Sequence, residues 1–320
     1  MITRKIDLPQ AYAHCRDIAR HEAKNFYYAF LALPKEKSDA MCAVYAFMRH
    51  ADDLSDDESI SIQDRRSRMR YWMEEWHRVC AGAETDSPIF IALRDTQQRF
   101  GISDQLLDHL VQGTAMDLEE IATVAVRQTV ISAAGTSRQD LLLYRTFNDL
   151  YQYCYLVASV VGLVCIRIFG YNDPRAEKLA EHTGIAFQLT NILRDVKEDA
   201  DRGRIYIPVE MLEHYSIGIE EIGLLKNSSQ MTASHHALLS ALGSRAREYY
   251  KSAEELLPLM DEDGRPGLWV LVEIYRRLLD RIEAKNYDVF TRRVSIPSTE
   301  KIIILARGMM QSMRNRRTKR

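Results

Sequence analysis

Two short acidic stretches carry the residue types and spacings from which chemistry can be read. The first packs Asp52, Asp53, Asp56, Asp57 and Glu58 into seven residues at the end of the apolar run from Ala40 to Met48. Asp52 and Asp56 are four apart, so a helix projects both from one face. Like charges at that spacing cost a few tenths of a kcal/mol, and the negative end of the helix dipole disfavours them further. Water offsets this cost on a solvated face, and a divalent cation offsets it in a site. The second stretch places Asn191, Asp195 and Asp199 at i, i+4 and i+8, with Ile192, Leu193 and Val196 off that face.

Carboxylate and amide oxygens are hard ligands that suit Mg²⁺, with Mn²⁺ as a substitute, better than zinc. Mg²⁺ keeps several waters and relies on one or two carboxylates together with substrate phosphates. Arg49 precedes the first stripe and Arg194 lies inside the second, and a guanidinium fork matches phosphate oxygens. Either stripe alone is the pattern of a solvated helix face. The pair, each with an arginine and each emerging from an apolar helix, favours a clamp for a metal–diphosphate group between two helices.

Those helices belong to a chain with helical periodicity almost throughout. The spacing predicts helices over Gln10 to Leu33, Ser38 or Asp39 towards Asp57, Ser61 to Ala81, Asp104 to Ala122, Asp140 to Phe169 and Pro174 to Ala200. Further helices are predicted over Ser234 to Leu257, Leu268 to Phe290 and Thr299 to Met313, with Ile219 to Thr232 the weakest stretch. Eight well-separated prolines leave room for whole helices between them. No alternating run bounded by Asn-Gly or Asp-Gly argues for a hairpin. An all-α fold with a single domain over residues 1–320 is the expectation.

Hydrophobic residues form 46% of the chain and the formal net charge is −2, which supplies a sizeable core and excludes a generally basic nucleic-acid binder. Basic residues gather only in a short tail from about 314, with Arg314, Arg316, Arg317, Lys319 and Arg320. That tail is either a solvated, frayed end or a contact to an anionic membrane surface. Five cysteines without a CxxC pair suggest neither zinc nor disulfides. A reduced cytoplasmic setting is expected, with a peripheral position on the inner face of the membrane as the alternative. The longest apolar run, Tyr155 to Ile166, is shorter than the roughly 20 residues a bilayer needs.

Around the acidic stripes stand further blocks: Phe26-Tyr27-Tyr28-Ala29-Phe30, Tyr45-Ala46-Phe47-Met48-Arg49, Tyr153-Cys154-Tyr155-Leu156-Val157-Ala158 with Val161-Gly162, and Gln188 to Asp199 running into Arg204-Ile205-Tyr206-Ile207-Pro208. With these blocks the chain resembles the squalene/phytoene synthase family of head-to-head prenyltransferases, from about His21 to Val294. The resemblance implies an isoprenoid-synthase helical bundle around a central cavity. It places metal-binding and catalytic aspartates on Asp52, Asp56, Asp195 and Asp199, with Asn191 alongside. It puts substrate contacts on Lys24, Arg49, Gln188, Arg194, Tyr275 and either Arg292 or Arg293, and sets Tyr45 and Tyr153 near the reacting ends.

Phe26, Phe30, Tyr45 and Phe187 are the aromatic faces that could hold an allylic cation. The implied partners are prenyl diphosphates: two farnesyl diphosphates giving presqualene diphosphate or a squalene-type C30 product, or two geranylgeranyl diphosphates giving 15-cis-phytoene. The Val-Ala-Ser-Val-Val-Gly block leans to the C30 reading. The resemblance leaves NADPH use open, since reductive members bind it without a glycine motif. Chain elongators and terpene cyclases share the fold, but Asn191-Ile192-Leu193-Arg194-Asp195 does not fit the elongators' second DDxxD. A catalytically silent scaffold would be expected to lose ligand aspartates, and all four are present. Ala23 and Asn25 stand where many members carry serines, so contacts made by those serines do not transfer.

Overall fold

The computed structural model describes residues 6–116, 118, 125–131, 138–225 and 230–318. The chain opens with α1 (Leu8–Glu22), started by a capping box in which Asp7 accepts from the Gln10 backbone at 2.9 Å and the Gln10 side chain accepts from the Asp7 N–H at 3.2 Å. Its buried face, Ala11, Tyr12, Cys15 and Ala19, has helical spacing. The single helix expected from Gln10 to Leu33 is broken at Ala23, where ψ moves to 6° before α2 (Lys24–Leu31) begins. α3 (Lys35–Asp56) follows after Pro34 and carries the first acidic stripe at its C-terminal end.

Serine caps start the next three helices, each accepting from a backbone N–H in the first turn: Ser61 for α4 (Ile62–Cys80), Ser87 for α5 (Pro88–Phe100) and Ser103 for α6 (Asp104–Ala115). The sequence reading did not place α5, and it carried α6 too far. α6 ends at Ala115, and the rest of that expected span is outside the described residues apart from Met116 and Leu118.

A hairpin then interrupts the helices, contrary to the all-helical reading of this region. β1 (Ala125–Ile131) pairs antiparallel with β2 (Arg138–Tyr144), Ala125 opposite Tyr144 and Ile131 opposite Arg138. β2 pairs on its other edge, in parallel, with β3 (Arg204–Ile205). The helix expected from Asp140 therefore starts only at α7 (Phe147–Cys154), where Thr146 and Asp149 form a second capping box. The fold remains predominantly helical, with the sheet a small attachment.

From α7 the chain passes through a π-helical turn, Tyr155–Ser159, into α8 (Val160–Phe169) without leaving the helix axis. Together Phe147–Phe169 make 23 residues that contain an 18-residue window of mean hydropathy 1.7, long and apolar enough by length and composition to cross a membrane, which the shorter run read from the sequence is not. Here this helix packs between α6 and α9 (Arg175–Asp201). A Cβ on Gly113 of α6 would lie 2.6 Å from the Leu156 carbonyl oxygen, and a Cβ on Gly184 of α9 would lie 2.6 Å from Ser159 Cα. The two glycines thus let neighbouring backbones approach the π turn from both sides, and Ser159 Oγ ties it to the Glu181 carbonyl at 2.7 Å.

After β3 come α10 (Val209–His214), α11 (Ile219–Leu224) and α12 (Ala233–Leu256). α12 lies along α9, where buried Thr190 and Tyr250 share a hydrogen bond of 3.0 Å. α13 (Arg265–Ala284) stops six residues short of the expected Phe290, because Asn286 and Tyr287 take left-handed φ values of 51° and 61°. α14 (Ser298–Thr318) packs on α13 and α2.

Two apolar cores result. One gathers α1 to α6, α8 and the start of α9, and the other gathers the rest of α9 with α7, α12 and the sheet. α9, about 40 Å long at 1.5 Å per residue, and α13 run through both, and Phe187 packs against each. Gly184 sits on α9 between the two, directly against the π turn. Gly184→Ala is expected to cost about 1–3 kcal/mol of stability through overpacking against backbone, read as a lower denaturation midpoint. An unchanged midpoint would mean that this approach is not tight in solution.

Candidate active site

An apolar cavity of about 190 Å³ lies where the two cores meet. α9 lines it with Ala180, Thr183, Gly184, Phe187, Gln188 and Asn191, and α3 contributes Met48. Phe26 of α2 and Tyr275 of α13 close another side, and Val157 and Ala158 reach it from the π turn. Tyr275 stacks on Phe187 with centroids 4.4 Å apart and rings 11° from parallel, and Phe26 meets Tyr275 at 6.2 Å.

Both acidic stripes continue the cavity-lining faces of their helices. Asp52 lies one turn beyond Met48 and Asp56 one turn further. Asp195 and Asp199 follow Asn191, the last cavity residue of α9, in the same way. Each helix therefore passes from an apolar wall to an anionic rim within about 6 Å per turn-length step.

The rim is electrostatically strained. Asp52 is half-buried, and its carboxyl is pushed up to about 7 by burial, with Arg49 pulling it down and Asp56 and Asp53 adding to the rise. Asp199 is likewise pushed up to about 7, by burial first and then by the charge of Asp195. Asp195 is instead matched by cations. Arg194 Nε donates to its Oδ1 at 2.8 Å and Nη2 donates to Oδ2, while Arg293 approaches Oδ1 through Nη2 at 2.9 Å and Nε at 3.0 Å. Burial opposes the charge on Arg194, but the Asp195 contact outweighs it and keeps the guanidinium protonated. Arg293 also lies 3.4 Å from Glu198, so of the two arginines offered by the sequence Arg293 is the one seen to meet the second acidic stripe.

Several polar atoms here are buried without a hydrogen-bond partner among the described residues: Asn191 Oδ1, Arg49 Nε and Ser55 Oγ. Arg49 spends its Nη2 on Asp53 rather than on Asp52 or Asp56. Asn191 Nδ2 donates to Gln188 Oε1 at 3.3 Å, leaving its oxygen to face other company. A buried acceptor oxygen without a donor fits a cation or its bound water, and a buried guanidinium N–H without an acceptor fits a phosphate oxygen. No cluster of three or more His, Cys, Asp or Glu side chains that could hold a metal occurs among the described residues. Mg²⁺ does not require such a cluster, since it completes its shell with water and substrate phosphates.

Not every expected residue meets at the cavity. Tyr45 faces Phe30 edge-on at 6.3 Å, and burial pushes its phenol up to about 12; neither is among the lining residues. Tyr153 stands apart too. Its hydroxyl donates to Tyr206 at 3.1 Å, its ring stacks on Tyr206 at 4.8 Å and leans on Tyr144 at 5.3 Å, and burial drives its phenol well above its ordinary range. The Lys24 side chain is outside the described residues. Sequence reasoning passed over Met48, Gly184 and the Tyr144–Tyr206 partners of Tyr153. Met48 and Tyr206 at least sit in the Tyr45-to-Arg49 and Arg204-to-Pro208 blocks already singled out.

With this geometry in hand, comparison with known proteins is decisive. The family model for squalene/phytoene synthase matches residues 19–300. The chain belongs to the squalene/phytoene synthase family. It is thus a prenyltransferase of the head-to-head kind. A 15-cis-phytoene synthase of Synechococcus elongatus is 33% identical over 95% of this chain and 94% of its own. Phytoene synthase 3 of Zea mays is 33% identical over 96% of this chain and 67% of its own. Among solved structures, a dehydrosqualene synthase superposes with a TM-score of 0.76 at 27% identity, over 95% of this chain and 97% of its own. The squalene synthase HpnC of Alicyclobacillus acidocaldarius, at 24% identity and TM-score 0.74 over 88% of this chain and 95% of its own, shares the fold.

Two outcomes test the rim. Asp52 and Asp199 bind protons more tightly folded than unfolded, so stability falls as pH rises from the ordinary carboxylate range near 4 to about 7. In metal-free protein the loss of melting temperature across that window is expected to be smaller for Asp52→Asn/Asp199→Asn than for the parent chain; equal losses would rule out burial of these charges. Arg293→Ala is expected to lower turnover by about tenfold or more, as removal of a charged contact worth 1.5–3 kcal/mol would. Arg292→Ala should leave turnover near that of the parent, and equal losses in the two variants would discard the Asp195 contact as the basis for choosing between them.

Proposed function

We propose that the protein condenses two geranylgeranyl diphosphates head to head to 15-cis-phytoene, in a Mg²⁺-dependent reaction. The observation that carries the chain length is the run of phytoene synthases among the curated relatives, at up to 33% identity over nearly the whole chain. The C30 expectation from the sequence takes second place. A specific observation still favours it: the structural neighbour with a TM-score of 0.76 is a dehydrosqualene synthase.

The chemistry is assigned to side chains as follows. Asp52, Asp56, Asn191, Asp195 and Asp199 are the oxygen donors that would hold Mg²⁺. The metal, when bound, neutralises charge on the departing diphosphate and so favours its leaving. Arg49, Arg194 and Arg293 offer guanidinium N–H groups to phosphate oxygens, Arg194 and Arg293 exchanging Asp195 for substrate. The apolar wall below the rim excludes water from the allylic cation left behind. Phe26, Phe187 and Tyr275 present ring faces to that cation, worth on the order of 1–2 kcal/mol each when desolvated. Its capture by the double bond of the second substrate forms a cyclopropylcarbinyl diphosphate as a proton is lost to the released diphosphate, the base at hand; departure of the second diphosphate, opening of the ring and loss of a second proton then give the C40 polyene. No histidine lines the cavity among the described residues.

The test is incubation of the protein with Mg²⁺ and either farnesyl or geranylgeranyl diphosphate, with and without NADPH, followed by mass analysis of the extract. C40 product from geranylgeranyl diphosphate is the expected result. C30 product from farnesyl diphosphate alone would overturn the chain length in favour of the second reading, and its dependence on NADPH would separate squalene from dehydrosqualene.

A further inference from the structure

α14 is amphipathic in an unusual sense, because one of its two apolar sides is exposed among the described residues. Its seated side is set by Ile304, fully buried, and by Gly308, where a Cβ would lie 2.9 Å from Val270 and 3.1 Å from the Trp269 ring of α13. At 100° per residue, Ile302, Ile303, Ala306, Met309 and Met310 fall within an arc of about 120° turned away from that seat. All five are exposed, Ile302 and Met310 at 55% and Ile303 at 50%. α2, the other helix under α14, adds an exposed Leu31.

Charge sets what this face can meet. From Lys301 to Arg320 the sequence carries seven Lys and Arg and no Asp or Glu, although the whole chain has a formal net charge of −2. An exposed apolar arc on a helix of local positive charge is the composition of a segment that lies in the interface of an anionic bilayer, with apolar side chains in the acyl boundary and cations among the headgroups. A second copy of the chain fits less well. A two-fold contact through this arc would bring two such cationic segments together, and like charges at an interface oppose it.

We propose that α14 docks the protein on anionic lipid bilayers through Ile302, Ile303, Ala306, Met309 and Met310. α2 and α13, on which α14 rests, also line the cavity with Phe26, Leu268, Leu271 and Tyr275. Docking through α14 therefore holds the cavity within one helix layer of the membrane surface, whatever the length of the hydrocarbon made there.

The experiment is co-sedimentation of the full chain with vesicles of phosphatidylcholine alone or of phosphatidylcholine and phosphatidylglycerol at about 3:1, at low and high salt. The parent protein is expected to sediment with the phosphatidylglycerol vesicles at low salt and to be released by high salt. Ile302→Ser/Ile303→Ser/Met310→Ser should bind them about tenfold more weakly, with its melting temperature and its turnover in detergent unchanged, since all three side chains are solvent-facing. Parent protein left in the supernatant overturns the proposal, as does a triple variant that binds like the parent. A parent dimer that the triple variant converts to monomer, with vesicle binding unaltered, would assign the face to self-association instead. The assay reads binding without turnover, so its failure is separate from any failure of the condensation reaction.

Discussion

The constraint on which the rest of this structure depends is the placement of like-charged carboxylates at the edge of an apolar cavity. Burial raises Asp52 and Asp199 to about 7, a position that a protein without use for them would relieve by solvation or substitution. Asp195, by contrast, is matched by direct ion pairs with Arg194 and Arg293. The uncompensated part of the rim, together with the unpartnered Asn191 oxygen and Arg49 N–H, is complementary to a polyanion accompanied by divalent cations. Neither an anion nor a cation alone would satisfy both sets. The long helices, the two cores and the glycine contacts at the π turn all serve to hold α9 opposite this chemistry.

How much of this was legible in the sequence follows from how local each feature is. The stripes Asp52/Asp56 and Asn191/Asp195/Asp199 needed only the helical period, so they could be read directly. Serine caps and prolines likewise located α3, α4 and α9 to within a few residues. The hairpin could not be read that way. β2 owes its place to the apolar run Leu141-Leu142-Leu143, which serves a buried strand and a buried helix equally, and its partner strand lacks a diagnostic turn dipeptide. The break at Ala23 has no glycine or proline to announce it.

The choice between Arg292 and Arg293 was illegible for a different reason. It depends on where α13 ends, and that is fixed by Asn286 and Tyr287 in left-handed conformation, an arrangement that propensity alone would not place on a tyrosine. The role of Tyr153 was likewise hidden. Its neighbours Tyr144 and Tyr206 come from the edges of β2 and β3, so a sheet that the sequence did not disclose determines what the phenol touches. Local periodicity thus disclosed the aspartate-bearing helices, whereas the residues that orient them arrive through turns and strand pairing.

The contact of Arg293 with Asp195 joins residues 98 positions apart and draws on the segment that follows α13. A ribosome delivers this chain from its N-terminus, and the two aspartate helices emerge long before that arginine. Until it arrives, the partly buried Asp195 carboxylate has Arg194 alone as a direct ion-pair partner. The anionic rim is therefore one of the last parts of the molecule to be completed. A nascent or prematurely ended chain would hold the four rim aspartates without Arg293, so under the proposed reaction competence to ionise a reactive substrate is deferred until the surrounding walls already exist.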